Sequence, residues 1–418
     1  MNDSIQALEE MILQRDIKKA ETTIARYLRD ESQPIPEVDL LIYRARVRLV
    51  SARLDDALAD LAVAQSIAPE RFEQPHMLEL LGDCYFGHFE LASVGFADRA
   101  DTAHALAAYN KIILNFPNYE NLGWVYYQFG RVVLTENHIE EAIQCFTNAL
   151  MSASTIRSLT SFCYERLGFI AFYESRNLQQ AIAFLNKAID TYPADEPQLW
   201  LAQVHTLRGK IYRENNEHDH ALEAIDTAVK IAAMDGGDTK IGLVDALLKA
   251  GEIASDMEGR ETEAIYYLNQ FIQNSRRPVG VDVTWSRVHE MLGDAYSRIE
   301  QYKSAVDAYR LTLKYNPYHP WEMSLYYRLA RNYYEMGDFK QTVASIEMLL
   351  KVASAENYDI DDYRIYYVLG NAWYSLGKYS SAVDAYEKAL ELSPLNGANV
   401  ENLRQYHQQA IASVQAGS

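Results

Sequence analysis

Groups able to bind a metal or move a proton crowd together once in this chain, at "ENNEHDH", where Glu217, His218, Asp219 and His220 follow one another. Ligation needs such groups aimed at one point, and consecutive residues entering a helix diverge instead. The stretch therefore reads as a solvated turn. Paired carboxylates occur at Asp55 with Asp56 and at Glu140 with Glu141, where helices are expected to begin and negative charge complements the helix dipole. Three cysteines, Cys84, Cys145 and Cys163, are too few and too irregularly spaced for a disulfide framework or a zinc ribbon. They read as buried thiols of a reducing compartment. HExxH, GxSxG, CxxC and a phosphate-binding GxxxxGK loop are all missing. The expectation is a protein without a catalytic site, metal or cofactor.

What the sequence does repeat is a set of distances. From Gly370 an Ala stands twelve residues on at Ala382, an aromatic sixteen on at Tyr386, a second Ala nineteen on at Ala389, and a Pro twenty-four on at Pro394. The same intervals run from Gly293 to Ala305, Tyr309, Thr312 and Pro317, and from Gly130 to Ala142, Phe146 and Ala149. They recur from Gly209 to Ala221, Ile225 and Ala228, and from Ala45 to Ala57, Leu61, Ala64 and Pro69. With one added residue, Gly168 leads to Ala181, Leu185 and Ala188, and Gly251 to Ala264. Small residues at fixed places let two helices approach closely, large ones fill the space between, and a Gly such as Gly377 permits the turn.

This spacing resembles the tetratricopeptide repeat family, whose unit is a helix, a tight turn and an antiparallel helix. Units start near Met1, Val38, Pro75, Gly123, Ser161, Ala202, Val244, Ser286, Met323 and Tyr363. The first and ninth are degenerate. The resemblance implies an all-α fold: a right-handed superhelical solenoid of about ten repeats over residues 1–397, with a capping helix and tail at 398–418. Val400, Leu403, His407, Ala410, Ile411 and Val414 would face the last repeat.

Between Gly82 and Ala105 the interval widens to twenty-three residues, which places an insertion at about 87–101, a finger or a pair of extended helices. Phe86, Phe89, Leu91, Val94 and Phe96 make it more apolar than a solvated loop requires. Linkers are expected at "DGGDTK", "NSRRPVGVD" and "ASAENYDIDD".

In the family, places two, five, nine, twelve and thirteen of the first helix tend to face a concave groove. Carried onto the fourth and fifth units, the resemblance selects Trp124, Tyr127, Arg131, Phe162, Phe169, Phe172 and Tyr173. Onto the ninth and tenth it selects Tyr327, Arg331, Tyr334, Arg364, Tyr367, Asn371 and Tyr374. Aromatics and Arg combine rigid area with a polar handle, the profile of interface anchors. Over units two to ten these places hold eight cations and eleven anions, so the groove is close to neutral while the chain carries -19. The carboxylate clamp of chaperone-binding members is absent, because Asn371 at a ninth place has Tyr367 rather than Lys at its fifth.

Apolar residues make up 49% and charged residues 23%, the composition of a chain that folds throughout. The net charge of -19, without a basic run to offset it, opposes nucleic acid and anionic membrane surfaces. No stretch is apolar enough to span a bilayer, and the N-terminus lacks the pattern of a leader. The expectation is a cytoplasmic, non-enzymatic scaffold or adaptor holding a protein or peptide partner in the groove. A peptide-sensing regulator is the alternative, and a non-catalytic subunit of an enzyme complex a further one; oligomeric state stays open.

Overall fold

The structure is a computed structural model that describes residues 3–14, 16–30, 35–91, 99–234, 241–393 and 398–417. The linker expected at 235–240, Pro394, and the centre of the insertion with Val94 and Phe96 lie outside the described residues. Every described element is helical, and consecutive helices pack as antiparallel pairs in the manner of a solenoid. The chain forms two compact units, Met1–Pro197 and Gln198–Ser418.

The first unit contains α1 (Asp3–Leu13) with α2 (Ile17–Tyr27), α3 (Glu37–Val50) with α4 (Leu54–Ile67), and α5 (Pro75–Leu91) with α6 (Arg99–Asn115). It continues with α7 (Leu122–Thr135) and α8 (Ile139–Met151), then α9 (Leu159–Tyr173) and α10 (Leu178–Thr191). The second contains α11 (Leu199–Glu214) with α12 (His218–Met234), α13 (Ile241–Ser255) with α14 (Glu261–Asn274), and α15 (Val283–Arg298) with α16 (Tyr302–Tyr315). After α17 (Glu322–Glu335) with α18 (Phe339–Ala355) and α19 (Tyr363–Ser375) with α20 (Tyr379–Leu392), α21 (Ala398–Gly417) lies on α20.

The repeated glycine is where the two helices of a pair meet. A methyl placed on Gly370 would stand 2.5 Å from the Tyr386 ring, and one on Gly293 2.5 Å from Tyr309. Gly82 meets Tyr109 in the same way at 2.4 Å, although the insertion separates them by eleven extra residues. The described flanks of that insertion continue α5 and α6 to 17 residues each, against 14 for α3 and α4. His88 on α5 bonds Asp101 on α6 at 2.7 Å, which ties the lengthened pair together.

Pairs then bury against their neighbours. On α17 the residues Leu325, Leu329 and Tyr333, one turn apart, seal against Val306 and Tyr309 of α16. Burying each such side chain contributes roughly 1.5–3 kcal/mol. Within each unit the first helices of neighbouring pairs also touch, as α3 does α5, α5 does α7, α13 does α15 and α17 does α19. Among the described residues the second helices show no comparable mutual contact. The first-helix side of each unit is therefore the crowded inner side.

The turns between paired helices share one device. A residue with left-handed backbone immediately precedes the second helix's N-cap: Ala52 (φ 57°), Asn137 (64°), Arg176 (52°), Asn216 (60°), Gly259 (81°), Glu300 (62°), Gly337 (75°) and Gly377 (72°). Non-glycine residues are strained there by about 1–2 kcal/mol.

Two stability changes follow. Gly293→Ala forces a methyl into the Tyr309 ring and should lower stability by about 1–3 kcal/mol, read from the denaturant midpoint. Glu300→Gly relieves a left-handed residue and, after the greater freedom of the unfolded chain is subtracted, should raise stability by about 0.5–1 kcal/mol.

Candidate functional site

Six of the residues that the family's spacing selects in units nine and ten meet around one cavity of about 370 Å³. Tyr327, Arg331 and Tyr334 come from α17, and Arg364, Tyr367 and Asn371 from α19. Glu335, Tyr363 and Val368 complete those two walls, and Asn402 and Leu403 of α21 close a third side. The core fixes this surface directly: the Tyr386 hydroxyl, whose ring lies on Gly370, donates to Asn371 Oδ1 at 2.7 Å. Tyr406 of α21 stands 6.0 Å from the Tyr367 ring and 6.5 Å from that of Tyr386. Tyr374 lies outside the cavity, edge-on to Tyr379 at 5.2 Å.

Cations on this face differ in their partners. Arg364 is held by Asp362 at 2.7 and 2.9 Å, which keeps its guanidinium firmly charged. Arg328 bonds Glu290 at 3.1 Å and Asp294 at 2.9 Å, while the Tyr309 hydroxyl donates to Asp294 at 2.7 Å. Arg331 is exposed, and among the described residues no carboxylate lies within ion-pair distance of it. It also borders an adjoining cavity of about 490 Å³ with Asp294, Arg298, Tyr302 and Arg328.

The residues selected in units four and five are placed differently. Phe172 has no accessible surface and Tyr127 only 7%, so neither offers a face to a guest. Phe172 lies one turn after Gly168 and so shares the face on which α9 meets α10. Tyr127 is enclosed by Trp124 at 5.3 Å, Phe146 at 5.8 Å and Phe162 at 6.0 Å. Phe169 and Tyr173 pair at 4.4 Å, with the Arg166 guanidinium 5.0 Å from the Phe169 ring. Arg131 pairs with Glu90 and lies over Phe86 at 4.9 Å. These rings are half-buried or buried in one another.

Trp124 points instead to a half-buried carboxylate. Its indole donates to Asp83 at 3.2 Å, joined by the Tyr109 hydroxyl at 2.7 Å and Gln128 at 3.2 Å. One turn earlier Glu79 accepts from Tyr119 and Asn121, both at 2.8 Å. The two acids, with Glu9, Asp39, Tyr43, Arg46, Arg71 and His76, border a cavity of about 730 Å³. Glu79 and Asp83 are two of the eleven anions at groove places, and spacing alone does not join them into a site: their donors come from α6 and α7 and the turn before α7, beyond any local pattern. Tyr363, Asn402 and Leu403 were likewise missed, since the last two belong to α21, which follows a different spacing.

Burial pushes the thiols of Cys84 and Cys163 up to about 12 and that of Cys145 to about 11. Among the described residues no group of three His, Cys, Asp or Glu converges as a metal site, and in "ENNEHDH" His220 bonds Glu217 at 2.9 Å.

Glu79 yields a pH dependence. Burial first, then the nearby Asp83 charge, raises its carboxyl from 4.5 to about 7. Between those values folded Glu79 keeps a proton that the unfolded chain has released, so its contribution to stability falls as pH rises from about 4.5 to about 7. Glu79→Gln should gain on the wild type between pH 5 and pH 8 by on the order of 1–2 kcal/mol, read from hydrogen-exchange protection of α5.

Comparison with known proteins finds repeats in the second unit. Matches described as tetratricopeptide repeat cover residues 202–233, 245–275, 286–319, 324–353 and 363–396. Tetratricopeptide repeat protein 29 of Homo sapiens is 26% identical over 198 residues, 46% of this chain and 40% of that protein. Its Macaca fascicularis counterpart is 25% identical over 192 residues, 44% of this chain and 39% of the relative. The chain thus spans about two fifths of the length of these curated relatives. Among solved structures, the C-terminal part of a tetratricopeptide repeat-containing protein from Cytophaga hutchinsonii covers 66% of this chain and 95% of its own, at 16% identity and a TM-score of 0.46. Pseudomonas aeruginosa pilF covers 57% and 91%, at 19% identity and a TM-score of 0.41. The five matched segments, all in the second unit, are thus tetratricopeptide repeats, and the glycine-to-ring contact of their helix pairs recurs in the first unit.

Proposed function

We propose that this chain is a non-enzymatic scaffold or adaptor that holds a protein or peptide segment of a partner on the first-helix side of the second unit. The observation that carries this reading is the cavity of about 370 Å³, where Tyr327, Tyr334, Tyr363 and Tyr367 surround Arg331 and Asn371. Broad aromatic walls bury a guest side chain at small entropic expense, and the amide and guanidinium supply direction. Tyr374 lies beside this site rather than in it. The first-helix face of units four and five plays a supporting role, its rings holding the stack, with Trp124, Arg131, Phe162, Phe169 and Tyr173 at its rim. Buried, unreactive thiols suit action in the cytoplasm, and none of the described helices is long and apolar enough to cross a membrane.

The reading is tested by capture from native lysate with the wild type and with a Tyr327→Ala, Arg331→Ala, Tyr367→Ala variant. A photo-crosslinking residue at position 363 records contact. One partner retained by the wild type, crosslinked at 363 and lost from the variant is the expected result. Identical captures from both baits would move the binding surface elsewhere and overturn the assignment.

A further inference from the structure

We propose that the second unit selects a guest segment carrying a single acidic side chain, with Arg331 as its anchor. This rests on the peptide-holding reading above and adds the chemistry of the guest.

The inference starts from an imbalance of charge. On the first helices of this unit most other arginines are answered by acids: Arg213 by Asp256 at 2.6 Å, Arg287 by Glu252 at 3.3 Å, Arg298 by Glu261 at 4.0 Å, Arg328 by Glu290 and Asp294, and Arg364 by Asp362, while Arg208 bonds His205 at 3.2 Å. Arg331 has no such partner among the described residues, in a chain with 58 acidic residues against 39 basic ones. Its guanidinium borders both cavities of this face. A guest lying along α17 would cross it.

The surroundings favour a carboxylate over other acceptors. The hydroxyls of Tyr327 and Tyr367, on the same walls, make no hydrogen bond to any described residue and can donate beside the guanidinium. Arg binds carboxylate through two parallel N–H bonds, a geometry that neutral acceptors do not match. Glu335, one turn further along α17, borders both cavities as well and is not paired with Arg331. It repels a second acid placed next to the first. The site therefore suits an isolated Asp or Glu followed by neutral or basic residues, and disfavours an acidic run.

The test is an array of synthetic eight-residue peptides, randomised except at one scanned position, probed with the full chain. Wild type, Arg331→Ala, Arg331→Glu and Tyr367→Ala are compared. Arg331 is exposed, so its substitution leaves the core intact, checked by an unchanged circular dichroism melt. The wild type should prefer Asp or Glu over Asn or Gln at one position by about tenfold. Arg331→Ala should erase that preference, Arg331→Glu should turn it toward Lys and Arg, and Tyr367→Ala should weaken all retained peptides together. An acidic preference that survives in Arg331→Ala overturns the inference, as does Tyr367-dependent binding with no acidic preference, which leaves the scaffold reading standing. No retained peptide with the wild type overturns both.

Discussion

A large side chain packed directly on a glycine sets the spacing on which the rest of this protein depends. Wherever the first helix of a pair carries that glycine, the second helix can approach until its large side chain touches backbone, as Tyr386 does at Gly370 and Leu268 at Gly251. The register survives one added residue in the fifth and seventh units and eleven in the third, because extra length enters at the turn and not at the crossing.

That contact also reaches the surface. When the ring is tyrosine, its buried hydroxyl needs an acceptor, and the residue after the glycine supplies one: Asp83 for Tyr109, Asp294 for Tyr309 and Asn371 for Tyr386. Where Phe146, Leu185 or Ile225 takes the ring's place, that residue is Arg131, Phe169 or Lys210, and no acceptor is demanded. A packing requirement in the core thus decides which polar groups stand on the first-helix side, and through Asn371 it shapes the wall of the proposed binding cavity.

The two units use this side differently. In the first, carboxylates gather under converging donors, and burial raises both Glu79 and Asp83 above their ordinary acidity range. In the second, tyrosines and arginines line the surface, and acids are mostly spent on holding arginines in place. The near balance of groove charge counted along the chain conceals this division, since a sum over places records neither burial nor pairing.

Helix pairs, their starts and the glycine-to-ring register were legible in the sequence because they follow from the helical period and from fixed intervals along the chain. So was the left-handed turn at Gly377. At Ala52, Arg176 and Glu300 it was not, because these side chains accept the same backbone only under pressure from the packed pair. Exposure was decided by tertiary structure. Tyr127 and Tyr327 hold the same place in their units, yet the residue at place two of the following unit is Phe162 in one case and Arg364 in the other. Phe162 closes over Tyr127, whereas the second ring is left lining a cavity beside a charged neighbour. The sequence by itself determined which side chains share a helix face; which of those faces stay open depends on residues some thirty-five positions away, brought together only when one pair stacks on the next.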